Sequence, residues 1–157
     1  MCNESDFMRR AIELSAEGMA KGAGGPFGAV VVKDGKIIAE GWNEVTSTND
    51  PTAHAEVQAI RRAARALGTF DLSGCDVYAS CEPCPMCLSA IYWSRASHLF
   101  YGAHAADAAS ADFDDAFLYE QIKLPESERS LPTKSILSDE AAEVFRAWLA
   151  KPDRVPY

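Results

Sequence analysis

The eight residues Ser80 to Cys87, SCEPCPMC, constrain this chain more than any other stretch. Cys81, Cys84 and Cys87 recur at every third position, with Pro83 and Pro85 between them. A core in need of small apolar residues has no use for that spacing or for those prolines. Metal ligation, a disulfide and plain packing are the competing readings. The chain carries five cysteines, Cys2, Cys75, Cys81, Cys84 and Cys87, an odd count with three crowded together. That is no disulfide framework. The first residues, MCNESDFMRRAIELSAEGMA, mix charges throughout and hold no signal-peptide apolar core. No run approaches the roughly 18 apolar residues of a membrane span, so no membrane association is expected. A cytosolic, reducing compartment is the expected setting, and there clustered cysteines favour metal.

With 157 residues the chain is expected to form one domain, residues 1–157, with a core of its own. A net charge of -8 repels phosphate backbones and argues against a large nucleic-acid partner. The cluster Arg61, Arg62 and Arg65 reads as the solvated face of a helix.

Hydrophobic periodicity organises the rest. Residues 5–20 read as an amphipathic helix capped by Ser5, with Phe7, Ala11, Leu14 and Met19 inward. The glycines of KGAGGPFG match neither phosphate-binding spacing and read as a bend into a strand. Asp34-Gly35 between Val-rich and Ile-rich runs predicts a hairpin. Residues 54–67 predict a helix with Val57, Ile60, Ala64 and Leu67 as its apolar stripe, ended by Gly68. A strand over 75–80, a helix opening at Pro85 and a strand over 97–103 follow. This alternation implies an α/β sheet with helices on its faces. A short strand at KSIL (134–137) and a helix from Glu140 to Ala150 complete the chain.

A catalytic zinc takes three protein ligands and keeps one position for water. Cys84 and Cys87, three apart at a helix start, present two sulfurs on one face, where the helix N-terminus favours thiolate. The third ligand must come from another element. His54 opens the other helix, and helix N-termini at one sheet edge can converge on a point. His98, opening a strand, and His104, in a loop, read as surface or packing residues. Glu56 stands two residues beyond His54. Beside a zinc-activated water it is placed to take a proton and deliver it to substrate. Alone it would read as a helix-dipole partner. A structural zinc, redox cysteines and an iron–sulfur cluster with Cys75 as fourth ligand are the weaker alternatives.

His54-Ala55-Glu56 followed by Pro83-Cys84-Pro85-Met86-Cys87 resembles the cytidine-deaminase-like zinc deaminases. The resemblance implies a three-layer α/β/α fold with a mixed five-stranded sheet. It implies zinc, one per subunit, on His54, Cys84 and Cys87, with Glu56 as proton shuttle and Cys81 not a ligand. Within that superfamily GGPFGAVVVKDG, NDPTAHAEV, SCEPCPMCLSAIYWSR, DFDDAF and the terminal tyrosine are similar to the bacterial-type guanine deaminases. The implied reaction is hydrolytic deamination of free guanine, a small purine, to xanthine and ammonia. A tRNA adenosine deaminase, or a deaminase of cytosine or another small base, is the alternative. Asn43 offers a donor and an acceptor to a base edge. By resemblance Asn43 contacts the substrate, Phe27 flanks the base, and Asp115 binds it and assists the departing amine, with Asp114 beside it not separable. The resemblance further implies a domain-swapped homodimer, in which residues 145–157 lid the partner's site through Tyr157, with Trp93 near the subunit boundary.

Overall fold

The computed structural model describes residues 3–157; Met1 and Cys2 lie outside the described residues. The chain divides into two compact units, one ending at Asp115 and one spanning Ala116–Tyr157.

The first unit opens with helix α1 (Glu4–Ala20). Its cap is Asn3 rather than Ser5: the Asn3 side chain accepts from the Asp6 backbone N–H, and Asp6 reciprocates in a capping box. Its buried face is Phe7, Ala11, Leu14 and Gly18, while Met19 is 53% exposed. The correction follows from the period: 7, 11, 14 and 18 fall on one helical stripe, and 19 rotates off it.

Strands β1 (Gly28–Lys33) and β2 (Lys36–Trp42) form the expected hairpin, turning at Asp34 and Gly35 with φ of 49° and 70°. Then come α2 (Val45–Thr48), α3 (Ala55–Leu67), β3 (Cys75–Cys81), α4 (Pro85–Trp93), β4 (His98–Ala103) and the short α5 (Ala105–Ala109). The sheet runs β2-β1-β3-β4; β1 is antiparallel to both neighbours, and β3 and β4 are parallel. It is a mixed sheet, as expected.

Period-two alternation in β1 feeds two cores. Val30 and Val32 join Phe7, Leu14 and Tyr78 on the α1 side. Ala29 and Val31 join Ala55, Ala59, Ala63, Val77 and Ile91, from α3, β3 and α4, on the other. The result is three layers, α/β/α.

The stripe expected on α3 is displaced. Ala55, Glu56, Ala59 and Ala63 are its buried face, with Val57, Ile60, Ala64 and Leu67 only partly covered. The cause is close approach to the sheet: a Cβ on Gly41 of β2 would lie 2.2 Å from the Ala55 carbonyl oxygen and 2.6 Å from the Ala59 nitrogen. Only alanines fit a helix that near. Gly41→Ala is therefore expected to push α3 outward and cost about 1–3 kcal/mol in a urea melt, with weaker metal retention, because His54 and Glu56 open that helix.

Four strands, not five, form the sheet among the described residues. Residues 134–137 lie in no strand of the sheet. Leu137 has a φ of 55° and turns the chain directly into a helix.

The second unit comprises α6 (Ala116–Lys123), a 3₁₀ turn (Glu126–Glu128) and α7 (Ser138–Ala150). None of its residues is buried.

Candidate active site

Two helix starts make the site. His54 is the N-cap of α3 and Cys84 the N-cap of α4, and neither side chain spends itself on a capping hydrogen bond. Pro85, at the first helical position of α4, gives up an N–H that has no helical partner there. Cys87 follows one turn later and is fully buried. Both positive helix ends favour anionic groups there.

His54 Nδ1 lies 3.6 Å from Cys84 Sγ and 3.4 Å from Cys87 Sγ. All three donor atoms fall within 4.8 Å of one another. Zinc–sulfur and zinc–nitrogen bonds at a tetrahedral angle require a separation of about 3.6 Å between sulfur and nitrogen. The three side chains therefore stand at the spacing of ligands to one ion.

Their charges say the same. Cys84 is pulled down to about 4, first by its hydrogen bond with Cys87 and then by His54. Cys87 is pushed far up, first by Cys84 and then by burial. A second thiolate beside the first is costly without a cation. A divalent ion removes that conflict and ionises both. The hydrogen bond to Cys84 also raises the His54 pKa.

Glu56 is 7% exposed, and burial raises its pKa; its carboxyl also interacts with the Cys87 side chain. A carboxyl that readily takes a proton, sheltered beside the donor set, is suited to proton transfer.

Asn43 is buried, with its Oδ1 accepting from the backbone N–H of Gly25 (3.2 Å) and of Val45 (3.1 Å). Gly24 makes the room: a Cβ there would sit 2.1 Å from Asn43 Oδ1. Gly24→Ala is expected to dislodge this amide and cost about 1–3 kcal/mol in a urea melt. The Phe27 ring meets Phe113 edge-on, 5.0 Å between centroids. Asp115 is half-buried and Asp114 exposed. Burial and then the nearby Cys84 raise the Asp115 pKa. Asp115 is thus the more covered member of the pair.

Cys81 ends β3 and stands outside the donor group, its thiol donating to the His104 carbonyl at 3.8 Å. His98 pairs with Asp76 at 2.7 Å, and His104 caps α5. Trp93 closes the far end of α4, nine residues or about 13 Å of helix rise beyond Cys84, and is 68% exposed. Tyr157 belongs to the second unit. The expected arginine face is not uniformly solvated: Arg62 is half-buried, pairs with Glu44 at 2.7 Å and lies over the Trp42 ring. Gly24, Phe113 and Glu82 lie inside the runs that carry the resemblance, but sequence reasoning gave none of them a site role; the Glu82 carboxylate accepts from the Ala105 N–H at 3.0 Å.

No helix among the described residues is long and apolar enough to cross a membrane.

Residues 1–103 match the family model described as the cytidine and deoxycytidylate deaminase zinc-binding region. The chain is 55% identical over 146 residues to a guanine deaminase of Bacillus subtilis (strain 168), covering 93% of this chain and 94% of that protein. The X-ray structure of guanine deaminase from Bacillus subtilis superposes with a TM-score of 0.97 at 52% identity, over 99% of each chain. A tRNA-specific adenosine deaminase of Agrobacterium fabrum is 43% identical over 103 residues, 66% of this chain and 67% of that protein.

Proposed function

The chain belongs to the cytidine and deoxycytidylate deaminase family, and from that premise we propose that it is a zinc-dependent guanine deaminase, converting free guanine and water to xanthine and ammonia. The higher identity to guanine deaminase and the tighter superposition on it than on the tRNA deaminases carry this reading.

His54, Cys84 and Cys87 would hold the zinc; the sulfur–nitrogen distances and the clustering of the three donor atoms support this set. When bound, zinc supplies the Lewis acidity that lets water act as a nucleophile near neutral pH. Glu56 takes one proton of the water that attacks C2 and delivers it to ring nitrogen N3; it then takes the remaining proton of the hydroxyl added at C2 and hands it to the amine, which leaves as ammonia as the C2–N bond breaks and the C2 carbonyl forms. Asn43 and Phe27 hold the planar base. Asp115 contacts the base and assists the amine; its half-burial, where Asp114 is exposed, supports it over Asp114.

The second unit exposes Phe117, Ile122, Val144, Phe145, Leu149 and Tyr157 and buries no residue. A segment with no core of its own gains stability only against another surface. This supports a domain-swapped homodimer in which residues 145–157 lid the partner's pocket through Tyr157. Trp93, exposed on α4, sits near the subunit boundary and contributes to the pocket from there. Removing Pro156 and Tyr157 is expected to lower kcat/KM on guanine by about tenfold or more while the melting temperature holds. Unchanged kinetics would remove the lid from the account. The net charge of -8 and the pairing of Arg62 speak against a nucleic-acid partner. The free thiols of Cys75, Cys81, Cys84 and Cys87 suit a cytoplasmic, reducing setting.

A panel of free bases, nucleosides and a tRNA anticodon stem-loop, each assayed for ammonia release, tests the substrate. Guanine should be the preferred member. Faster turnover of the stem-loop or of cytosine contradicts the assignment.

A further inference from the structure

The metal-side loop and the base-side loop meet at Glu82, the residue after Cys81, whose thiol donates to the His104 carbonyl. At the end of β3, the Glu82 backbone N–H donates to the Ala103 carbonyl at 2.8 Å. The Glu82 carboxylate then accepts from the Ala105 N–H, the first of α5, at 3.0 Å. The other end of α5 sets the next contact: the Phe113 N–H donates to the Ala108 carbonyl at 3.0 Å, and Phe113 meets Phe27 edge-on. Asp115 follows two residues later and is half-buried. A single turn of helix thus spans from Glu82, two residues before the first sulfur ligand, to the segment carrying Phe113 and Asp115. Helix α5 is five residues long, too short to hold itself in place without such a tie.

We propose that Glu82 is a positioning residue for the deamination reaction: its carboxylate pins the start of α5 to the metal loop and so fixes Asp115 and Phe113 relative to the ion. This rests on the guanine deaminase reading above. Glu82 touches neither ion nor substrate in this role; it acts through Asp115.

Four variants of the zinc-loaded full chain test it. Glu82→Ala removes the acceptor. Glu82→Gln keeps an acceptor and should stay near wild type. Ala105→Pro removes the donor with Glu82 intact, and it is well suited to do so. Ala105 is the first residue of α5, where proline is tolerated, and His104 before it is extended, as a residue preceding proline must be. Should Glu82→Ala fail to fold, Ala105→Pro decides alone. Glu82→Ala and Ala105→Pro should each lower kcat/KM on guanine by about 10- to 100-fold with zinc content unchanged. In an Asp115→Asn background, either change should cost little more, because the group it positions is already lost. Wild-type kcat/KM in Glu82→Ala or Ala105→Pro overturns the proposal, as do losses that multiply in the Asp115→Asn background. A wild-type enzyme inert toward guanine instead overturns the reading on which the proposal stands.

Discussion

Glu56→Gln is expected to lower kcat on guanine by about two to four orders of magnitude, with zinc still bound. The substitution is nearly isosteric, so the alanine-lined face of α3 keeps its fit against Gly41. What it removes is proton capacity. Glu56 is almost fully buried beside Cys87, with a carboxyl that burial already inclines toward protonation. No other described carboxyl occupies that position; Asp115 is only half-buried and sits on a different loop. Elemental analysis with steady-state kinetics on one preparation checks the result. A variant that loses its zinc as well would make Glu56 part of the metal site rather than a proton carrier.

Cys87→Ser should strip the metal and with it the activity, a larger loss than the roughly 10- to 100-fold cost of removing a partner that only orients a ligand. Cys87 is fully buried and 3.4 Å from His54 Nδ1. With one sulfur gone, Cys84 and His54 alone offer two ligands where a catalytic zinc takes three. The chain should nevertheless stay folded. Its two hydrophobic clusters, around Val30 with Leu14 and around Val31 with Ala59, owe nothing to the ion. Circular dichroism on the metal-free variant checks this. If the chain unfolds with the metal, the zinc is a staple and the catalytic account loses its main support.

Much of the site could be read in advance because its parts are local. A proline at the first helical position fixes where α4 starts, and hence that Cys84 and Cys87 share a face. The His-Ala-Glu run places an imidazole and a carboxylate in one helical turn by the same logic. The geometry of Asn43 was not legible. It depends on Gly24, about twenty residues away, yielding the space that the amide fills, and no local pattern records that exchange. Phe113 was hidden for a similar reason: its role depends on meeting Phe27 across the fold. The α3 stripe was misplaced because periodicity weighs apolarity alone. The helix buries alanines where Gly41 brings the sheet within van der Waals distance, and it leaves larger residues at the margin. The stretch at 134–137 has strand-like composition, yet it lies in no strand, and Leu137 in the left-handed region leads straight into the helix that follows.

The central claim is that a zinc on His54, Cys84 and Cys87 serves the deamination of free guanine. It is tested most directly by measuring zinc content and guanine consumption on the same freshly purified protein, with xanthine followed by ultraviolet absorbance and ammonia by a coupled assay. Stoichiometric zinc, with xanthine and ammonia formed in equal amounts, is the predicted result. Stoichiometric zinc with guanine left intact would contradict it.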